Sequence, residues 1–198
     1  MKRKILVFVM TIGIIVFMTS CGKVPQAEID NAQMAIENAR SAESELYAPE
    51  QFAIVEDSLN AILEKIETRK SKFFKSFGDE KTQLEGIVLL ADEARMAAET
   101  KKQEIIQDYQ SVLEQVNNLI SENKSLLTQA PKGKEGKLAL QAISNDNSAV
   151  EESVVLAGNT FASQQYISAL EAIKTAHEKA LALNDELKQV IAKYNKAK

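Results

Sequence analysis

The chain has one cysteine, one histidine, no tryptophan, three prolines and seven glycines in 198 residues. Each shortage closes a route. One cysteine cannot make an internal disulfide, and with a single histidine it cannot furnish a zinc site. The histidine, His177, lies in a helix-forming stretch, where a lone imidazole is far more often a flanking surface residue than a catalytic base. No Gly-x-Ser-x-Gly elbow and no dinucleotide or P-loop glycine pattern occurs. "GKEGK" at 133–137 has glycine and lysine, but neither the loop spacing nor the Ser or Thr that a phosphate loop needs. "SNDNSAVEE" lacks the central glycine and the length of a calcium loop. The acidic pairs Glu56–Asp57, Asp92–Glu93 and Glu151–Glu152 are sequence neighbours. On a helix, neighbours point about 100° apart, so they do not converge on one reacting group. The chain is therefore expected to be non-catalytic, with no cofactor and no metal.

The single cysteine stands at a particular point. Met1, Lys2, Arg3 and Lys4 precede the charge-free run "ILVFVMTIGIIVFM", residues 5–18, and then Thr19, Ser20 and Cys21. A basic start before about 7–15 apolar residues is the layout of a secretory signal peptide. The run is short for a transmembrane helix, which needs about 20 residues. Small residues before a cysteine at the end of such a run resemble the lipobox of bacterial lipoproteins, with Met18 where that family usually has leucine. The resemblance implies cleavage before Cys21, removal of residues 1–20, and a diacylglyceryl group on the Cys21 thiol. The other readings are a cysteine behind an uncleaved anchor and an ordinary signal peptide. Stable anchoring takes more than one acyl chain, at about 0.8 kcal/mol per buried methylene, and the family carries two or three. Gly22, where many inner-membrane lipoproteins have aspartate, points by the same analogy to the outer membrane, facing the periplasm.

Lys2, Arg3 and Lys4 leave with the leader, so 24 basic residues become 21 against 28 acidic ones, a net −7. That balance argues against a nucleic-acid partner and against adhesion of the chain as a whole to anionic lipid. The mature composition is rich in Ala, Glu, Lys, Leu, Gln and Ile, which favour helices, and shows no strand-type alternation bounded by turns.

Apolar spacing divides the mature chain into five helices. The first spans about Gln26–Leu46 on Ile29, Ala32, Ile36, Ala39 and Leu46, a stripe interrupted by Glu43. "YAPE" ends it, and Pro49 opens a second helix to about Phe74 on Phe52, Val55, Leu59, Ile62, Ile66 and Phe73. The third, about Glu80–Leu127, carries Leu84, Ile87, Ala91, Ala94, Ala98, Ile105, Tyr109, Val112, Val116, Leu119 and Leu126. Unbroken, it would span about 70 Å, with Gly86 and Lys101–Lys102 as weak points. "TQAPKGKEGK", residues 128–137, reads as a linker. A fourth helix, about Leu138–Phe161, has a soft spot at "SNDNS", where Ser148 and Glu151 have capping-box spacing. The fifth, about Ser163–Tyr194, faces Leu170, Ile173, Ala180, Leu187 and Ile191 inward. The predicted fold is all-α: an elongated antiparallel bundle of about five helices in tetratricopeptide-like hairpins, with one long central helix. Its predicted parts are 21–127, the linker 128–137, and a C-terminal hairpin over 138–198.

"YAPEQFAIVEDSLNAILEKI" from Tyr47 aligns with "FASQQYISALEAIKTAHEKA" from Phe161 at a period of 114. Tyr47 pairs with Phe161, Phe52 with Tyr166 and Leu59 with Ile173. The match is either an internal duplication or the ordinary likeness of two amphipathic hairpins. "FASQQYISALEAI" also resembles a tetratricopeptide unit, although no 34-residue repeat follows.

"AEIDNAQMAIENARSAESELYAPEQFAIVEDSLNAI", with the later "LLADEARMAAE", resembles an alanine-rich domain of unknown function found in bacterial lipoproteins. The shared marks are A-x-x-A spacing, a Y-A-P-E turn and an L-A-x-x-A-x-x-A-A helix, over about residues 25–105. That family has no established activity, so the resemblance implies location and fold.

These readings point to a lipid-anchored, non-catalytic cell-envelope protein that binds or spaces a protein or cell-wall partner and contacts the membrane through lipid on Cys21. A carrier of apolar or unfolded clients is the second reading, and a cell-wall hydrolase using carboxylates is the third. Phe73, Phe74 and Phe77 are candidates for a patch that binds a partner or lipid, or else for closure of the core at the end of the second helix.

Overall fold

The computed structural model describes residues 22–73, 75–130 and 136–196. The expectations for Cys21 and Phe74 lie outside them, as does the middle of the linker. Among the described residues there are six helices and no strand: α1 (Gln26–Ser41), α2 (Ser44–Tyr47), α3 (Pro49–Lys70), α4 (Gly78–Gln129), α5 (Gly136–Ala162) and α6 (Tyr166–Lys196). The fold is all-α with one long central helix, as the composition and the three-and-four spacing predict.

The chain packs as two compact units that divide between Lys101 and Lys102, inside α4. The proline-glycine segment after Gln129 does not mark this division; it connects α4 to α5 within the second unit. The physical reason is the length of α4, which is 52 residues against 22 for α3. Its first half is enough to complete the first hairpin. The apolar stripe of its second half needs other partners, and α5 and α6 supply them.

In the first unit, Ile29, Ala32, Ile36 and Ala39 of α1 meet Phe52, Val55, Leu59, Ile62 and Ile66 of α3, and Leu84, Ile87, Ala91 and Ala94 of α4, in one core. The three helices run up, down, up. Arg40, near the end of α1, stacks over the Phe52 ring at 5.4 Å and pairs with Glu56 near the start of α3. The Lys65 ammonium donates to Gln83 at 3.1 Å, which sets the end of α3 beside the start of α4. The alanines on this seam have no exposed surface, so the backbones approach as closely as their Cβ atoms allow.

Two predicted stripe positions are corrected here. Leu46 is 55% exposed. Glu43 adopts a left-handed conformation, φ 61°, which ends α1 at Ser41 and rephases the short α2 so that Ser44 and Tyr47 point inward instead. The buried Ser44 hydroxyl donates to the Ala94 carbonyl at 3.3 Å. Phe73, placed by spacing on the stripe of the second helix, is 89% exposed. That helix, α3, ends at Lys70, and the core position goes to Phe77 from the following loop, 5% exposed.

The second unit is also a three-helix arrangement. The C-terminal part of α4 lies antiparallel to α5 and parallel to α6. The Tyr109 ring stacks on Phe161 at 4.2 Å, Phe161 meets Tyr166 edge-on at 5.0 Å, and the Lys102 ammonium sits 5.5 Å over the Tyr166 ring. Burial pushes the Tyr109 phenol pKa up. α5 continues through "SNDNS" without a break. It ends at Ala162 and is capped by left-handed Gln164, φ 62°: the Gln165 amide donates to Thr160 at 3.3 Å and the Gln164 amide to Phe161 at 2.9 Å, the bond pair of a Schellman cap.

Some positions 114 apart share burial, among them Ile36 with Val150, Leu59 with Ile173 and Ile62 with Ala176, but the turn pairs do not: Tyr47, Ala48 and Phe52 are buried, whereas Phe161 and Tyr166 are half-buried and Ala162 is exposed. The hairpin turns between them differ, an αL residue plus α2 in one and a Schellman cap in the other.

Candidate functional site

The groups that catalysis would need are dispersed. Glu56 pairs with Arg40, Asp92 with Arg95 at 2.7 Å, and Glu151 with Lys124 at 3.0 Å. His177 is half-buried on α6. Among the described residues no three His, Cys, Asp or Glu side chains gather as a metal site, and no helix is long and apolar enough to cross a membrane. A solvent-open groove of about 350 Å³ between α5 and α6 sets Lys179 against Asp146 and Glu186 beside Val150 and Leu183. Its volume is at the low end for a small-molecule site, and it has no enclosed wall.

Two constellations stand out. The first is at the end of the first unit that carries residues 22–25. Pro25 is buried and Val24 packs on the core. Gly22 lies so close to the α3–α4 loop that an added Cβ would sit 2.7 Å from the Lys75 carbonyl oxygen and 3.4 Å from the Phe77 ring. Only glycine fits that approach. The chain is therefore docked onto the bundle from the residue that follows Cys21. The same loop carries Phe73 at its surface and Phe77 in the core, so the structure separates these two members of the predicted aromatic patch, and Phe74 lies outside the described residues.

The loop is braced from both sides. Arg69 at the end of α3 pairs with Glu80 through Nε at 2.9 Å and donates from Nη1 to the Ser76 carbonyl at 2.8 Å. Glu80 is 1% exposed in the first turn of α4, where the helix dipole favours a carboxylate. Its Oε2 has no hydrogen-bond partner among the described residues.

Lys81 reaches across to Glu28 of α1 at 2.7 Å. The hydrogen bond from Lys81 holds the Glu28 carboxyl below its usual range, and the same bond raises Lys81. A depressed carboxyl pKa gives stability that is present above the unfolded-state value and is lost as pH falls through the folded one. A raised ammonium pKa gives stability present below its unfolded-state value and lost as pH rises through the folded one. Lys81→Met is therefore expected to be less stable than the natural protein at neutral pH and to converge with it as acid protonates the Glu28 carboxyl. Acid titration of thermal stability checks this; a stability gap that does not narrow in acid contradicts it.

The second constellation is in the second unit and is not foreseen from the sequence. Asn123 of α4, Asn147 of α5 and Asn184 of α6 are each no more than 2% exposed. Asn123 Nδ2 donates to Asn147 Oδ1 at 3.2 Å and to the Ala180 carbonyl at 3.0 Å, and Asn123 Oδ1 accepts from Asn184 Nδ2 at 2.9 Å. Asn147 Nδ2 donates onward to Glu151 at 3.2 Å. Beside them Lys188 holds the Glu122 carboxyl below its usual range, with burial opposing and Asn184 adding a smaller hydrogen bond. One asparagine per helix, joined at a single level, fixes the axial register of all three. The signal was available in the spacing. Asn123 continues Val116 and Ile120, and Asn147 stands between Ile143 and Val150 on the apolar stripe.

Among the described residues, the site geometry thus consists of the docked segment at Gly22 beside a basic, aromatic loop, and a polar register lock. Comparisons with models of protein families, with curated proteins and with solved structures find no match.

Proposed function

We propose that this chain is a lipid-anchored, non-catalytic scaffold or spacer of the bacterial cell envelope, attached through Cys21 and facing the periplasm from the outer membrane. The observation that carries the reading is Thr19-Ser20-Cys21 at the end of a charge-free run of 14 residues behind three basic ones. The docking of Gly22 supports it, since lipid on the preceding residue is joined to the folded body with no loose spacer. The burial of the alanine stripes favours a scaffold over a carrier of apolar clients. Ala32, Ala39, Ala91, Ala94, Ala98, Ala157, Ala169 and Ala180 are all at zero exposure, spent on closing the two cores. The partner is a protein or the cell wall, met by the acidic, helical surface.

In-cell crosslinking of a C-terminally tagged copy, followed by mass spectrometry, with Cys21→Ala beside it, tests the reading. The expected result is one dominant partner whose crosslinks fall at least tenfold in the Cys21→Ala strain. Many unrelated clients, retained in that strain, would move the assignment to a carrier.

A further inference from the structure

The mature chain is acidic, but its charge is unevenly placed. Between Glu67 and Asp79 there is no acidic residue, and the stretch "TRKSKFFKSFG" holds Arg69, Lys70, Lys72 and Lys75. Arg69 is committed to Glu80, and Lys70 pairs with Glu67. Lys72 and Lys75 are exposed, as is Lys23 on the docked chain start, and no carboxylate among the described residues pairs with them. Phe73, between Lys72 and Lys75, presents an 89% exposed aromatic ring. Phe77, buried at 5%, and the Arg69 bond to the Ser76 carbonyl pin the loop's far end to the bundle.

The position of this loop decides its use. Gly22 touches the Lys75 carbonyl, and Cys21 is one peptide link further, about 3.8 Å between successive Cα atoms. Acyl chains on Cys21 would enter the bilayer beside Lys75. We infer that Lys23, Lys72, Phe73 and Lys75 form a membrane-contact element: the three lysines meet anionic phospholipid headgroups while Phe73 inserts at the interface, so that the first unit is seated on the bilayer. This inference rests on the lipid-anchor reading. An acyl anchor combined with a basic patch is the two-signal form of stable membrane attachment, and an aromatic ring flanked by lysines suits the headgroup boundary. The −7 charge of the mature chain, which argues against adhesion of the whole protein to anionic lipid, favours this orientation, because the remaining acidic surface is repelled from the same bilayer.

The chain has no tryptophan, so Phe73→Trp introduces the only indole. The test uses the full-length protein carrying this substitution, processed in cells, purified from membranes and reconstituted into phosphatidylethanolamine vesicles with or without brominated phosphatidylglycerol. Its N-terminal peptide is weighed in parallel. The expected result is an acylated Cys21, blue-shifted indole emission, and strong quenching by the brominated lipid. Adding Lys72→Gln and Lys75→Gln should weaken loop binding by roughly fivefold for each lysine removed and reduce the quenching, with acylation unchanged. Acylated protein whose indole emits as in water and is not quenched overturns the loop assignment and leaves the anchor standing. The same unquenched result with the loop crosslinked to protein or cell wall also overturns it. An unmodified Cys21 overturns both readings.

Discussion

Asn123→Ala lowers the stability of the second unit by about 2 kcal/mol, beyond the cost of the atoms removed, because it strands a buried polar partner at about 1–3 kcal/mol. Asn147 Oδ1 loses its donor in a side chain 2% exposed, whereas Asn184 Nδ2 loses one acceptor and keeps its bond to Glu122. The Ala180 carbonyl loses only a second hydrogen bond, since it lies inside α6. Replacing all three asparagines by leucine gives the opposite outcome. With no buried polar group left unmatched, stability equals or exceeds that of the natural protein, and the loss appears as freedom of register among three helices with uniformly apolar seams. Hydrogen exchange read on α5 and α6 peptides separates the two variants: protection falls in Asn123→Ala, and in the triple leucine variant it is kept while side-chain order is lost. Equal protection in all three proteins would contradict the network's role.

Arg69→Met is the matching experiment on the first unit. Glu80 is 1% exposed with one oxygen lacking a partner among the described residues, where Arg69 supplies its only ion pair. Removing the guanidinium leaves a buried charge uncompensated, which costs about 3 kcal/mol, at the low end of the range for breaking buried pairs because Arg69 is itself partly exposed. It also frees the Ser76 carbonyl and with it the loop. Adding Glu80→Leu restores the stability, since the carboxylate no longer needs a counter-charge, but does not restore the bond to Ser76. Unfolding of the two variants measures the first effect. Exchange of the amides of residues 71–77, fast in both, measures the second. A stability that stays low in the double variant would mean that Arg69 acts through packing of its stem.

The three-and-four spacing made most of the core legible. Ile29, Ala32, Ile36 and Ala39, then Phe52 to Ile66, then Leu84 to Ala98 are buried as the stripes predict, because helix periodicity and burial are one geometric fact. Leu46 and Phe73 depart from it where the backbone leaves the helix. A left-handed Glu43 and the early end of α3 are decided by tertiary contacts of Ser44, Tyr47 and Phe77 that spacing does not encode. The boundary between units falls at Lys101–Lys102, which the sequence marks as a weak point of the stripe but not as a change of partners, because the helix runs on through it, while "TQAPKGKEGK" advertises a turn that separates no units. "SNDNS" reads as a helix break from composition alone, and becomes a register lock only when the facing positions 123 and 184 are also asparagine. At the candidate site, Cys21 and the aromatic cluster are visible in sequence, whereas the approach of Gly22 to the Lys75 carbonyl, which joins them, is a tertiary contact.

The central claim is that Cys21 carries lipid next to Gly22, which is docked on the first unit. Mass spectrometry of the native protein's N-terminal peptide, extracted from cell membranes, measures this directly. The account predicts a peptide beginning at Cys21 with a diacylglyceryl group on its Sγ and none of residues 1–20 attached. A chain that keeps its leader, or begins at Cys21 with an unmodified thiol, would contradict it.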